Sequence, residues 1–373
     1  MERLLCIVSV MNAGGAETFL MKMLRRIDRE RYMMDFCVNA EENLYRAEIE
    51  SLGGRIHVIP AKSKHPIGSF LALRRLVKRE GYDRVIRVNE HSLSTLDLIA
   101  AKCGGARHLL MRSSNASSPT RLSRILHKLF FFLPRIVPTV KFAPSTLAAE
   151  YTFGKGCVTR GRASLLCNGV DLSVYRYDEA ARRALRAELS LEGKTVVGHV
   201  GRFTGQKNHL FLLHVFAEMR AKCPDAVLLL VGKGEREQEI RLEADRLGIA
   251  DAVVMTGVRS DVPRVLSAMD VFVFPSLYEG MPNTVIEAQA TGLPCVIADT
   301  ITREADVTGL VTYLSLSDSP SLWAETALSA REAARLDTSD VMRRKGYDTD
   351  SVVQEFCRLC FSLRRSADGD TET

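Results

Sequence analysis

The sequence predicts an α/β protein of two Rossmann-like lobes in tandem, each built on a parallel sheet, with the lobes facing an interdomain cleft. Three observations carry this. The chain has 373 residues, about two and a half ordinary domains, so two is the natural division. Short apolar runs alternate with longer amphipathic stretches, which is the pattern of βαβ units. The alternation pauses once, over a polar, charged stretch at 171–194, and then resumes.

In the first lobe strands are expected at 4–10, 33–38, 55–59, 84–88, 108–111, 141–143 and 164–167, with helices such as 16–28, 69–79 and 94–102 between them. The opening MERLLCIVSVMN reads as a buried strand rather than a signal peptide, because its apolar stretch is short and ends at Gly14 and Gly15. In the second lobe strands are expected at 195–200, 226–231, 252–255, 271–274 and 295–297. A helix at 351–363 precedes a small, polar tail. The expected division is 1–168, a connector 169–194, a second lobe 195–348, and a helix with a loose tail 349–373.

Hydrophobic residues make up 46% and charged residues 26%, which suits a soluble globular protein and excludes a disordered, collagen-like or disulfide-stapled chain. No uninterrupted apolar run approaches the ~18 residues of a membrane span. Nine cysteines, odd in number and mostly inside apolar runs, point to the reducing cytoplasm. Cys357 and Cys360 form a CxxC that reads as core packing. Net charge is +6, but residues 98–149 contain no Asp or Glu. In that stretch Leu122, Ile125, Leu126, Leu129 and Phe132 share one helical face, while Arg121, Arg124, Lys128 and Arg135 share another. Such a helix either lies on an anionic membrane surface or packs its apolar face on the sheet.

Parallel sheets bind ligands beyond the carboxyl ends of their strands, so three segments that follow strands stand out. In Phe274-Pro-Ser-Leu-Tyr-Glu-Gly-Met-Pro-Asn-Thr-Val-Ile-Glu287 a strand ends, a turn carries Glu279 and Gly280, and Pro282 marks the start of a helix. The N–H groups of that helix start make an anion site. In His199-Val-Gly-Arg-Phe-Thr-Gly-Gln-Lys-Asn-His209 two cations, Arg202 and Lys207, project beside glycines and suit a diphosphate. In Asn12-Ala-Gly-Gly-Ala-Glu17 the glycines remove side chains where a ligand can approach the backbone.

These segments, in this order, resemble the retaining GT-B glycosyltransferases of family 4, over nearly the whole chain. GRFTGQKNH, VGKGE, TGVRSDVP and PSLYEGMPNTVIEAQATGLP look like family signatures, and Asn168-Gly-Val-Asp171 is similar to the interdomain connector. The resemblance implies a GT-B fold and transfer of a sugar, with retention and without a metal or other cofactor, from a nucleotide diphosphate donor such as a UDP-sugar. The implied acceptor is a polyprenyl-diphosphate-linked glycan in bacterial capsule, exopolysaccharide or O-antigen synthesis, made in the cytoplasm or on the inner face of the cell membrane.

It further implies that Arg202 and Lys207 grip the diphosphate, that Glu287 accepts hydrogen bonds from the ribose, and that Glu279 faces the transferred sugar. Gly280, Met281, Asn283 and Thr284 assist through their backbone, Val258 and Arg259 lie against the base, and Gly15 meets donor phosphate or acceptor. On the acceptor side Gly14, His91, Arg112 and Asn115 are the candidates. Many relatives carry a histidine in the loop after the strand that begins at His108, where this chain has Arg112 followed by Ser113, Ser114 and Asn115.

Other signals are weaker. Gly232-Lys-Gly234 lacks the third glycine of a dinucleotide fingerprint. Asp348-Thr-Asp350 and Asp368-Gly-Asp370 sit at a helix start and in the tail, where capping and solubility explain them. His57, His127 and His214 read as structural. No metal-spaced His/Cys cluster is present, and no nucleic-acid partner is expected. Two other functions fit the same scaffold: a sugar-nucleotide epimerase, which would convert donor without acceptor, and a catalytically idle nucleotide-binding partner, which would bind without turnover.

Overall fold

A computed structural model describes residues 1–12, 14–89, 91–113 and 121–362. The chain forms two compact units. One runs to Gly169 and adds the closing helix Thr349–Phe361; the other is Val170–Asp348.

The first unit is a parallel sheet of seven strands: β1 (Glu2–Ile7), β2 (Tyr32–Val38), β3 (Ile56–Val58), β4 (Arg84–Asn89), β5 (His108–Ser113), β6 (Val140–Ala143) and β7 (Ser164–Leu165), in the order β3-β2-β1-β4-β5-β6-β7. The second holds six: β8 (Thr195–Val200), β9 (Ala226–Val231), β10 (Val253–Gly257), β11 (Val271–Phe274), β12 (Cys295–Ala298) and β13 (Val311–Leu314), in the order β10-β9-β8-β11-β12-β13. The expected strands occur where the apolar runs place them, with ends shifted by at most three residues. β13 is the strand missed. It lies at a sheet edge with only half-buried or exposed side chains, so Val-Thr-Tyr-Leu shows neither a continuous apolar run nor a clean alternation.

Each sheet buries both faces, as a parallel sheet covered by crossover helices must. The sequence reading set the closing helix apart; its apolar side completes the first unit instead. Phe356 meets Phe19 and Phe142 edge-on, at 5.9 and 6.4 Å between ring centroids, and Phe361 stacks on Tyr32 at 4.3 Å. Cys360 is fully buried in the same cluster, the core role expected for it. Asp350, in the helix's first turn, pairs with Arg26 at 3.0 Å. The connector likewise has a home: its helix Glu179–Glu188 joins the second unit, where Arg182 and Arg186 reach Asp270 at 2.6 and 2.7 Å. Among the described residues no helix is long and apolar enough to cross a membrane.

Strand order reverses once in each sheet, between β1 and β4 and between β8 and β11. Crevices for ligands form at such switch points, outside the carboxyl ends of the strands.

Candidate active site

In the second unit the switch point is bordered by the loops after β8 and β11. The β8 loop ends in a short 3-10 turn, Gly205–Lys207, and then helix His209–Lys222. Asn208 joins the two in the left-handed conformation, at φ 55°, which asparagine tolerates better than most residues. The β11 loop leads into helix Asn283–Ala290, with Pro282 at the N-cap and no capping side chain. Backbone and amide bonds tie the loops together: Leu277 N–H donates to the Gln206 carbonyl at 2.9 Å, and Gln206 Nε2 donates to the Tyr278 carbonyl at 2.8 Å.

This places Lys207 Nζ 2.7 Å from Glu279 Oε1. Lys207 also stands 4.5 Å from the centroid of the Phe274 ring. Glu279 is only 8% exposed; it is held against the lysine. Arg202 is exposed, and its guanidinium has no ion-pair partner among the described residues. One cation is thus fixed and partly desolvated, the other held out to solvent.

Beneath this pair lies a floor that the sequence reading missed. His199 is fully buried, stacks on Phe274 at 5.2 Å, meets His209 at 4.6 Å, and lies 3.0 Å from the Val273 carbonyl through Nδ1. A carbonyl only accepts, so that nitrogen carries the proton. Burial pushes His199 well below its usual 6.5, and burial with the Lys207 charge pushes His209 down to about 4. Both rings are neutral near pH 7, so the positive charge there belongs to Lys207.

Glycine chemistry holds the loop in place. Gly232 lies at φ +145°, and a Cβ on it would stand 2.0 Å from the Gly201 carbonyl oxygen; on Gly234 it would stand 2.3 Å from that of Phe203. The Phe203 N–H donates to the Lys233 carbonyl, and the Arg236 N–H to that of Phe203, each at 3.0 Å. The near-fingerprint Gly232-Lys-Gly234 therefore clamps the backbone on both sides of Arg202.

Glu287 lies half-buried in helix Asn283–Ala290. The Tyr175 hydroxyl, from the connector, hydrogen-bonds to it; burial, then the Glu287 charge and this bond, push the phenol well above its usual 10. Tyr175 was also missed, being one of two tyrosines in a polar stretch. Asn283 and Thr284 are half-buried in the first turn, whereas the Met281 side chain is in the core cluster. Val258 is 75% exposed. Arg259 is committed elsewhere, bidentate to Asp261 at 2.8 and 2.7 Å and 3.0 Å from Glu188.

Residues 194–330 match the family described as glycosyl transferases group 1. Over 367 residues the chain is 33% identical to the Bacillus subtilis (strain 168) protein named glycosyltransferase EpsF, covering 94% of each. The chain belongs to the group 1 glycosyltransferases. It is also 28% identical over 240 residues to the Escherichia coli UDP-Gal:alpha-D-GlcNAc-diphosphoundecaprenol alpha-1,3-galactosyltransferase, covering 62% of this chain and 61% of that one. The crystal structure of Anabaena HepE in complex with UDP aligns at a TM-score of 0.78 and 21% identity, over 97% of this chain and 100% of that one. The fold of this glycosyltransferase is GT-B.

In the first unit of the glycosyltransferase, Gly14 caps and Gly15 opens helix Gly15–Arg26, directly beyond β1. His91 lies beyond β4, half-buried, its carbonyl accepting the Ser94 N–H at 2.9 Å. Both flank that sheet's switch point. Arg112 departs from expectation. It is not in a loop but inside β5, 1% exposed, with its guanidinium 3.9 Å over the Phe19 ring and bonded to Asn168 Oδ1. Burial lowers its pKa to about 10, so it stays a cation that positions Asn168 instead of meeting an acceptor. Asn115 lies outside the described residues. Of the three histidines read as structural, His57 bonds to Tyr82 and His127 is buried between Ser92 and Tyr151. His214 is half-exposed and its Nε2 meets the Glu243 carboxylate at 3.0 Å, so it belongs to a surface polar contact and not to an apolar pattern.

Proposed function

We propose that this glycosyltransferase moves a sugar from a UDP-sugar to a lipid-linked glycan during cell-surface polysaccharide synthesis. The reading rests on one arrangement above all: Lys207 fixed at 2.7 Å by Glu279, beside an exposed Arg202, at the switch point of the second sheet. The name of the Escherichia coli relative, which specifies UDP-Gal and a diphosphoundecaprenol-linked acceptor, supports the donor and acceptor classes. In the proposed step the acceptor hydroxyl oxygen bonds to the anomeric carbon as its bond to the diphosphate oxygen breaks. The departing diphosphate keeps the electron pair, the hydroxyl proton is released to it, and the anomeric configuration is retained.

Arg202 and Lys207 would carry the charge that develops on the leaving group, the electrostatic load a divalent ion bears elsewhere. Glu287, steadied by Tyr175, would accept from the ribose hydroxyls, and Glu279 would both hold Lys207 and face the sugar. Gly14, Gly15 and His91 are the acceptor-side candidates of the first unit.

A melting-temperature panel of nucleotides tests the donor class, since a ligand that binds only the folded state raises its stability. UDP should stabilise the protein more than GDP or ADP, and transfer to a lipid-linked acceptor should survive chelation of divalent ions. Equal shifts with all three nucleotides would remove the UDP assignment. Tyr175→Phe deletes one hydrogen bond worth about 0.5–1.5 kcal/mol, so donor KM should rise about two- to tenfold with kcat unchanged. A fall in kcat at constant KM would contradict the ribose role of Glu287.

A further inference from the structure

The first unit gathers positive charge at the end of its sheet opposite Gly15 and His91. Short helix Leu133–Ile136 leads into β6, and helix Thr146–Phe153 is followed by a loop that runs to β7. Thr139, ahead of β6, and Arg162, ahead of β7, both line a cavity of about 410 Å³, so it lies at the amino ends of those strands. The ligand crevice of a parallel sheet forms at the other end. The lining includes five cations, Arg135, Lys141, Lys155, Arg160 and Arg162, and no carboxylate. None of the five has an ion-pair partner among the described residues.

The local fold sets these cations in place. Gly154 follows its helix at φ +96°, and a Cβ there would stand 2.2 Å from Arg135 Nη2, so only glycine lets that guanidinium lie where it does. Arg135 rests 3.9 Å from the centroid of the Phe131 ring, an aromatic face in place of an acid. The loop after Gly154 is tied by its own backbone. The Arg160 N–H donates to the Gly156 carbonyl at 3.1 Å, and the Arg162 N–H to that of Cys157 at 2.8 Å. Glu150, the one acid of helix Thr146–Phe153, accepts the Gly156 N–H at 2.7 Å and is not part of the lining. Lys141 registers the crowding: burial first, then the Arg162 charge, lower its pKa.

We propose that this cavity binds a soluble condensed phosphate, a chain of two or three linked phosphoryl groups, at a site separate from the donor's. Guanidinium and ammonium groups are the side chains that suit phosphate oxygens. One phosphoryl group carries about −1.5 to −2 charges near neutral pH, too few for five cations, whereas a short chain comes close to matching them. A nucleotide fits less well. Phe153, the aromatic residue of the lining, is 6% exposed and offers no face on which a base could stack.

Calorimetric titration of the full chain with tripolyphosphate, at fixed ionic strength and with and without saturating UDP, tests the site. One tripolyphosphate should bind per chain in the presence of UDP, and orthophosphate should bind at least about tenfold more weakly. Arg160→Gln/Arg162→Gln alters only exposed side chains. It deletes two charge-assisted contacts, each worth about tenfold or more in affinity, so tripolyphosphate binding should weaken about a hundredfold. Wild-type affinity in that variant would overturn the proposal. So would tripolyphosphate binding that UDP abolishes, because the anion would then occupy only the donor site. Capture by phosphatidylglycerol vesicles that the variant loses, with no tripolyphosphate bound by the wild type, would also overturn it, by assigning the cations to a lipid phosphate. The variant keeps Arg202 and Lys207, so its response to UDP should be unchanged. A wild-type chain that binds tripolyphosphate but not UDP would count against the donor reading alone.

Discussion

Replacing Lys207 by methionine is expected to lower sugar transfer by about two to three orders of magnitude, the usual loss when a fixed donor aimed at developing charge is removed. The lysine is preorganised: its ammonium is set by Glu279 at 2.7 Å and by the Phe274 ring, over two buried histidines held neutral. Methionine keeps the apolar stem and deletes the charge. It also leaves Glu279, 8% exposed, without its cation, and breaking a buried pair in this way costs about 3–5 kcal/mol unless the acid takes up a proton. Lys207→Met/Glu279→Gln separates the two effects, because it removes the stranded charge and should recover most of the stability but not the rate. Arg202→Ala is the contrasting case. That side chain is exposed, so stability should change by less than about 0.5 kcal/mol. The lost charge-assisted bonds, about 1.5–3 kcal/mol, would still slow transfer by about one to two orders. Steady-state rates and urea midpoints on the same preparations check both. A folded Lys207→Met protein with the wild-type rate would take Lys207 out of the chemistry.

What could be read in advance follows from the range of each interaction. Buried parallel strands such as Thr195–Val200 and Ala226–Val231 are written as apolar runs, and the cations and acids after β8 and β11 are written as motifs, so both were legible. Edge strand β13 was not, because only half of its environment is protein. Tyr175 was not, because its partner Glu287 is distant in the chain and joins it only in the folded unit. Arg112 shows the converse error: it was placed in the loop after the strand, as an acceptor-side candidate, and only the fold shows it inside β5 on the Phe19 ring. The helix starting at Arg121 was read as amphipathic, yet periodicity alone does not say which side faces inward; the buried His127 decides that. Gly232-Lys-Gly234 was weighed as a ligand motif and set aside, whereas its glycines serve the approach of one backbone to another.

The same limit hid Asp270, which looks like a lone acid before an apolar strand. It accepts from the Val196 N–H at 2.8 Å, from Arg182 at 2.6 Å and from Arg186 at 2.7 Å, fastening the connector helix to β8 and β11. Burial alone would raise its pKa; the Val196 N–H and the two guanidiniums outweigh that and hold it below its ordinary 3.8. Asp270→Asn keeps an acceptor for Val196 but leaves Arg186, itself buried, without its anion, so the second unit should lose about 3–5 kcal/mol. Trp323 is the single tryptophan, fully buried in that unit, so its fluorescence in urea reports the loss directly. The sign with pH is fixed. A carboxylate whose pKa is lowered by folding stabilises fully above its unfolded value and loses that contribution as pH falls through the folded one. The gap between wild type and variant should therefore be constant from neutral pH down to about 4 and close below it. A gap under about 1 kcal/mol at neutral pH, or one that widens in acid, would mean that the two arginines hold the connector without needing the charge of Asp270.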